Sequence, residues 1–167
     1  MLRILVAALS VLFCVSPALS DEAKVCGDWK NTPPDRSITS CSAVISGNPK
    51  AHWAYLNRGL AYANKGDKDR AIADYSQALR INPNYAMAYN NRGNAYRDKG
   101  DMDRAIADYS EAISLDPTYT DAYNNRGNAY ILNGDSNRAI ADYRTALKLD
   151  PTLNEARDQL QRLGVSP

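Results

Sequence analysis

Residues 88–96 read Ala-Tyr-Asn-Asn-Arg-Gly-Asn-Ala-Tyr, and the same nine residues return at 122–130, an interval of 34. A third copy at 54–62 stands one interval earlier and differs at two positions. Residues 86–119 and 120–153 share 22 of 34 positions without a gap, which is far beyond chance. A fixed period of this length predicts a stack of similar supersecondary units.

Each unit is predicted to form two helices joined by a tight turn. The first helix ends in a left-handed glycine cap, at Gly66, Gly100 and Gly134. The next residue is an aspartate that can N-cap the second helix, at Asp67, Asp101 and Asp135. A proline closes the second helix, at Pro83, Pro117 and Pro151.

Two finer features of the hairpins also follow from the spacing. The residues after the prolines are expected to N-cap the next unit: Asn84, Thr118 and Thr152. Arginine and aspartate stand four residues apart on each second helix, which predicts solvent-exposed pairs: Arg70–Asp74, Arg104–Asp108 and Arg138–Asp142.

These units resemble tetratricopeptide repeats, which place particular residues at fixed positions of a 34-residue pattern. In 52–85 the matching residues are Tyr55, Gly59, Tyr62, Ala71, Tyr75, Ala78 and Pro83, and the next two units repeat these residue types. The resemblance implies an all-α fold, a right-handed superhelical solenoid of helix-turn-helix hairpins closed by a C-terminal capping helix. Position 7 departs from the family pattern, with arginine in place of leucine at Arg58, Arg92 and Arg126. We expect these arginines to pair with nearby carboxylates in a structural role.

The three repeats, at 52–85, 86–119 and 120–153, set a register that extends in both directions. Residues 21–51 fit a degenerate N-terminal half repeat, with a first helix near Glu22–Lys30 and a second over 34–46. Residues 154–167 fit a capping helix and tail, with a narrow apolar stripe at Ala156, Leu160 and Leu163.

Cys26 and Cys41 fall in the degenerate repeat, at positions that face each other across a hairpin of this register. We expect a structural disulfide between them, and two buried thiols are the alternative. Their spacing is not C-x-x-C, so a redox-active pair is not expected.

The first twenty residues are typical of an export signal. Arg3 precedes an apolar run over 4–15, and the small residues Ala18 and Ser20 suit a cleavage site after residue 20. The run is short for a membrane anchor, and Phe13 before Cys14 disfavours a lipoprotein signal. We expect residues 1–20 to be a signal peptide, the protein to be periplasmic or secreted, and the mature part to contain no membrane span.

In the resembling family the first helices line a concave groove through fixed repeat positions. The residues that the resemblance assigns to this groove are Trp53, Leu56, Asn57, Leu60, Met87, Asn90, Asn91, Asn94, Arg97, Asn124, Asn125 and Asn128. The remaining groove positions of the three repeats hold Ala63, Asn64, Asp98, Asp121, Ile131 and Leu132. The asparagine amides can bond a peptide backbone, and ordinary repeat consensus is the alternative. Members that clamp a terminal carboxylate carry lysine where this chain has Leu56, Asn90 and Asn124, so such a ligand is not expected.

The composition excludes several classes of function. Twenty basic and 19 acidic residues give a net charge of +1, without the basic excess of a nucleic-acid binder. His52 is the single histidine, and no catalytic constellation surrounds it in the sequence, so no metal, cofactor or catalytic activity is expected. We therefore predict a non-catalytic module that binds a protein or peptide partner. The alternative is a self-assembling, homo-oligomeric structural protein of the cell envelope.

Overall fold

The computed structural model describes residues 17–166, and within them the chain forms nine α-helices and no strand. The helices are α1 (Pro17–Gly27), α2 (Pro34–Gly47), α3 (His52–Asn64), α4 (Lys68–Ile81), α5 (Ala86–Asp98), α6 (Met102–Leu115), α7 (Thr120–Leu132), α8 (Ser136–Leu149) and α9 (Asn154–Arg162). Most of the predicted signal peptide, residues 1–16, lies outside the described residues.

The helices stack as hairpins in chain order. Helix α1 packs on α2, α3 on α4, α5 on α6 and α7 on α8, and each second helix also contacts the first helix of the next hairpin. The first helices α1, α3, α5 and α7 lie side by side, and α9 covers the end of the stack against α8. Between residues 17 and 166, no helix has the length and apolar character needed to cross a bilayer.

The predicted glycine and aspartate caps are confirmed. Gly66, at φ +78°, ends α3 in the left-handed region. The backbone N–H of Asp67 then donates to the carbonyl of Tyr62 at 2.9 Å. The Asp67 carboxylate accepts from the backbone N–H of Arg70 at 3.1 Å, and this bond holds the pKa of Asp67 below its ordinary value. The other two hairpins repeat this arrangement.

The predicted N-caps between repeats are wrong. Asn84, Thr118 and Thr152 precede the cap residues, which are Tyr85, Tyr119 and Leu153 and make no side-chain cap bond. Each predicted residue lies in a turn, because an earlier side chain holds its backbone: Asp116 accepts from the N–H of Thr118 at 2.9 Å.

Each hairpin is packed around one tyrosine of its second helix. Tyr75, Tyr109 and Tyr143 are at most 1% exposed. Each ring lies against a glycine of the first helix, and a Cβ atom added to Gly93 would be 2.7 Å from Cε1 of Tyr109. Glycine is therefore needed at this position to let the two helices approach each other around the ring.

The position-7 arginines pair with carboxylates, as predicted. Nε and Nη2 of Arg92 donate to the two carboxylate oxygens of Asp108, both at 2.8 Å, and Nη1 donates to Oγ of Ser76 at 3.0 Å. The bonds to Asp108 raise the pKa of Arg92 above its ordinary value. Arg58 and Arg126 repeat the arrangement.

The predicted pairs between arginine and aspartate four residues apart on each second helix are wrong, because these aspartates bind the position-7 arginines instead. Asp108 is 6% exposed and is oriented towards α5, so Arg104 pairs instead with the cap residue Asp101. Arg70 and Arg138 likewise pair with Asp67 and Asp135.

The leading hairpin differs from its predicted bounds. Helix α1 begins at Pro17 and ends at Gly27 instead of running near Glu22–Lys30. It ends there because Asp28 organises a turn, accepting the backbone N–H of Thr32 at 3.1 Å and the side-chain amide of Asn31 at 2.8 Å. Trp29 and Lys30 therefore lie in the loop before α2.

Candidate functional site

A cavity of about 370 Å³, here called the central cavity, opens along the first helices of the stack. The predicted groove residues that line it are Leu60, Met87, Asn90, Asn91, Asn94, Asp121, Asn124 and Asn125. Met87 is 44% exposed, so an apolar side chain faces the open space. The register thus places most of the predicted asparagines around one cavity.

A neighbouring cavity of about 400 Å³, here called the C-terminal cavity, is lined by Arg97, Asn128, Ile131, Leu132, Glu155 and Gln159. It shares Glu155 with the central cavity. Leu132, in the wall of the C-terminal cavity, is 64% exposed. Together the two cavities form a groove with an amide-rich middle and a C-terminal extension whose apolar residues are Ile131 and Leu132.

The six remaining predicted groove residues do not line these cavities: Trp53, Leu56, Asn57, Ala63, Asn64 and Asp98. Leu56 is 2% exposed and belongs to the core around Tyr75. Asn57 is 8% exposed, and its Nδ2 donates to the carbonyl of Cys26 at 2.9 Å. Trp53 packs against the cluster that contains the two cysteines. Trp53 and Asn57 are displaced from the groove because the leading hairpin covers them, whereas Leu56 packs into the core of its own repeat.

That hairpin supplies two cavity residues which the 34-residue register did not predict. Trp29 and Lys30 line the central cavity from the loop after α1, with Lys30 Nζ 5.6 Å from the centre of the Trp29 ring. Their loop follows Cys26, which the bond from Asn57 ties to α3. No repeat pattern includes this loop. The only signal in the sequence was an aromatic and a basic residue shortly after Cys26.

Three more residues were missed because they lie at the junctions between repeats. Tyr119 and Leu153 precede α7 and α9, and Glu155 lies in the first turn of α9, where a capping role had been assigned. Burial raises the pKa of Tyr119 above its ordinary value. The capping helix therefore also forms part of the cavity wall.

The asparagines divide into two groups by their hydrogen bonds. Asn94 and Asn128 accept the hydroxyl protons of Tyr109 and Tyr143 at 2.8 and 2.7 Å. Asn125 Nδ2 donates to Asn90 Oδ1 at 3.0 Å, which joins neighbouring repeats. These bonds fix the asparagine side chains in the walls of the two cavities, so part of the predicted asparagine set has a structural role.

Other amide groups keep unused hydrogen-bonding capacity. Asn91 donates to the carbonyl of Met87 at 2.8 Å through Nδ2, and its Oδ1 accepts from no residue between 17 and 166. Asn94 Nδ2 has no acceptor in the same part of the chain. Asn124 is 5% exposed, and its Oδ1 is buried without a hydrogen-bond donor. Such groups can bond a ligand that enters the cavity.

The described residues contain no group of three or more histidine, cysteine, aspartate or glutamate side chains placed to hold a metal ion. The ring of His52 packs edge-on against Tyr85, with centroids 5.2 Å apart.

Comparison with protein-family models identifies the repeats. A model described as the tetratricopeptide repeat matches residues 52–85 and 120–153, and a second model of the same description matches 75–107. A model described as the TPR repeat matches 93–134. Together the matches run without a gap from residue 52 to residue 153. A search of curated proteins found no significant match.

Solved structures of similar chains share this architecture. The first TPR of Spaghetti (RPAP3), bound to the HSP90 peptide SRMEEVD, is 28% identical, with a TM-score of 0.67 over 68% of this chain and 90% of its own. The second TPR domain of human RPAP3, in complex with the HSP70 peptide SGPTIEEVD, is 30% identical, with a TM-score of 0.63 over 66% and 92%. MamA is 26% identical, with a TM-score of 0.74 over 82% and 81%. The predicted fold class, a right-handed superhelical solenoid of helical hairpins, is confirmed.

Proposed function

The chain belongs to the tetratricopeptide repeat family, and we propose that it is a non-catalytic adaptor that binds a peptide segment of a partner protein. The segment lies in the central cavity and extends into the C-terminal cavity. The observation that carries this proposal is the set of amide groups with unused hydrogen-bonding capacity around Met87. Amides both donate to and accept from a peptide backbone, so they can hold an extended chain.

The similar structures support a peptide as the ligand class. Two RPAP3 domains carry bound peptides of HSP90 and HSP70. Both peptides end in Glu-Glu-Val-Asp. In this chain Leu56, Asn90 and Asn124 replace the lysine that the family uses to clamp a terminal carboxylate. The ligand we propose is therefore an internal segment and not a chain terminus.

We predict that a groove variant loses its partner while a variant altered elsewhere keeps it. Met87→Ser with Asn91→Ala changes two residues of the central cavity that take no part in the tyrosine or arginine networks. The matched control is Leu115→Ser with Ser114→Ala, at exposed positions near the end of α6. Affinity capture identifies the partner, and titration is expected to show affinity at least about tenfold weaker for the groove variant only. Equal affinity of the groove and control variants would contradict the proposal.

The alternative function, self-assembly into a structural element of the envelope, makes a different prediction for the same protein. Sedimentation velocity of the chain without a partner would then show a concentration-dependent oligomer. An adaptor instead sediments as a monomer and shifts only when the partner is added.

We also propose that the protein is exported to a periplasmic or extracellular compartment and carries a Cys26–Cys41 disulfide there. The two cysteines are fully buried, and their Cα atoms are 4.8 Å apart, which a disulfide can span. Their predicted bond ties α1 to α2 and thereby holds the loop that contains Trp29 and Lys30.

Export and oxidation are expected to be visible in one mass measurement. Protein recovered from the source cells and unfolded without reductant should lack residues 1–20, and its thiols should react with an alkylating reagent only after reduction. An intact N-terminus with both thiols free before reduction would overturn this part of the proposal.

A further inference from the structure

The two cavities meet at a group of oxygen acceptors. Asp121 on α7 and Glu155 on α9 occupy equivalent positions of consecutive first helices, and both line the central cavity with exposed side chains. Asn124 lies one turn after Asp121, is 5% exposed, and has its Oδ1 buried without a donor. We call Asp121, Asn124 and Glu155 the acidic end of the central cavity.

The cations near Asp121 and Glu155 do not neutralise the negative charge of these two carboxylates. In the part of the chain that the structure describes, no ion pair includes Asp121 or Glu155. Arg97 lines the C-terminal cavity, but its Nη2 pairs with Asp98 at 3.0 Å. Lys30 also lines the central cavity, where its ammonium group lies over the Trp29 ring. One lysine against two carboxylates leaves the central cavity with a net negative charge.

One member of the acidic end, Glu155, is held in place by its neighbours. Asn128 Nδ2 donates to Oε1 of Glu155 at 3.0 Å, and Asn128 itself accepts from the buried Tyr143 hydroxyl at 2.7 Å. The second carboxylate oxygen of Glu155 remains available to a ligand. A fixed carboxylate loses less side-chain entropy on binding than a free one.

We propose that the acidic end binds the side chain of an arginine or lysine in the peptide ligand, a specificity that rests on the proposed function. Carboxylates and an amide oxygen only accept hydrogen bonds, and a guanidinium or ammonium group only donates them. Such charge-assisted bonds are shorter and stronger than those between neutral groups. The cation also supplies the donor that the buried Oδ1 of Asn124 lacks.

The apolar residues on either side define the rest of the ligand. Leu60 and Met87 line the central cavity, and Ile131 and Leu132 line the C-terminal cavity beyond Glu155. A segment that spans both cavities therefore places its basic residue between apolar ones. This chemistry is opposite in charge to the acidic peptides bound by the RPAP3 domains.

Selection from a phage library of random short peptides tests the proposal. The baits are the wild type, Asp121→Asn with Glu155→Gln, and the charge-matched control Asp103→Asn with Glu111→Gln on α6. All four carboxylates are exposed and form no ion pair between residues 17 and 166, so every variant is expected to fold. We expect arginine or lysine flanked by apolar residues to be enriched by the wild type and the control, and the basic enrichment to be lost with the acidic-end variant.

Titration of one selected peptide gives the quantitative result. Changing its basic residue to glutamine is expected to weaken binding to the wild type at least about tenfold and to leave binding to the acidic-end variant unchanged. If selected peptides bind but tolerate glutamine, the basic anchor is wrong and the adaptor function stands. If the wild type selects no peptide that competes with its captured partner, the inference and the peptide-binding function both fail.

Discussion

Changing Arg92 to methionine is expected to lower the free energy of unfolding by about 3 kcal/mol, because it leaves a buried carboxylate without its partner. The side chain of Asp108 is 8% exposed, and that of Arg92 is 20% exposed. Both carboxylate oxygens of Asp108 accept from the Arg92 guanidinium at 2.8 Å. The methylene stem of arginine is largely retained in methionine, so the loss reports the contacts of the guanidinium, with Asp108 and Ser76 among them, and not the packing of the stem.

Urea denaturation followed by helical circular dichroism measures this loss. The matched control is Lys99→Met, which removes a pair with Asp69 on the exposed surface and is expected to cost less than about 1 kcal/mol. Arg92→Met combined with Asp108→Leu removes both charges and is expected to recover much of the stability. A loss from Arg92→Met no larger than that from the Lys99 control would contradict a structural role of the buried pair.

The same pair distinguishes the repeats from the last helix, α9. Each position-7 arginine connects three helices: its own, the following second helix through aspartate, and the preceding second helix through serine. One interval after Ser110 and Arg126 the chain has Arg144 and Leu160. Leu160 is fully buried against α8, so an apolar contact replaces the polar network in the capping helix. Arg92→Met is therefore expected to weaken the interface between repeats as well as the hairpin that contains Arg92.

The hairpin geometry could be predicted from the sequence because it depends on local chemistry. A glycine at φ near +80° followed by a capping aspartate forms a turn within a few residues, so this turn can be predicted without knowledge of distant residues. The partner of Asp108 could not be predicted in this way. Arg104 is four residues before it on the same helix, and Arg92 reaches it only after α5 and α6 have packed.

The groove was predictable in position but not in all its contacts. Repeat register places Asn91, Asn94 and Asn125 around one cavity, as the structure shows. Register does not reveal that the Tyr109 hydroxyl reaches Asn94, because that bond depends on how deeply the ring is buried. Nor does it include Trp29 and Lys30, whose loop lies before the first full repeat.

Changing Tyr109 to alanine is expected to lower the free energy of unfolding by about 4 kcal/mol, as large-to-small substitutions of buried aromatic residues do. Tyr109 is fully buried, and Gly93 faces its ring without a side chain that could move into the space. The space left by the missing Tyr109 ring would therefore persist between α5 and α6. Urea denaturation of this variant is compared with Leu115→Ala, an exposed position on α6, for which a small effect is expected. Similar losses in the two variants would show that the ring does not organise the hairpin.

The conservative change Tyr109→Phe separates the hydroxyl from the ring. It keeps the packing but removes the 2.8 Å bond to Asn94, and a loss of about 1 kcal/mol is expected.

Burial raises the pKa of Tyr109 above its ordinary value of 10.0, so the neutral phenol stabilises the fold below about pH 10 and this contribution is lost as pH rises further. Stability measured across that range should fall less steeply for Tyr109→Phe than for the wild type. Equal pH dependence in Tyr109→Phe and the wild type would mean that the pKa of Tyr109 is the same in the folded and unfolded protein, and would contradict the effect of burial. Tyr109→Phe also frees Asn94 to rotate in the central cavity, so we expect peptide affinity to fall while the hairpin remains folded.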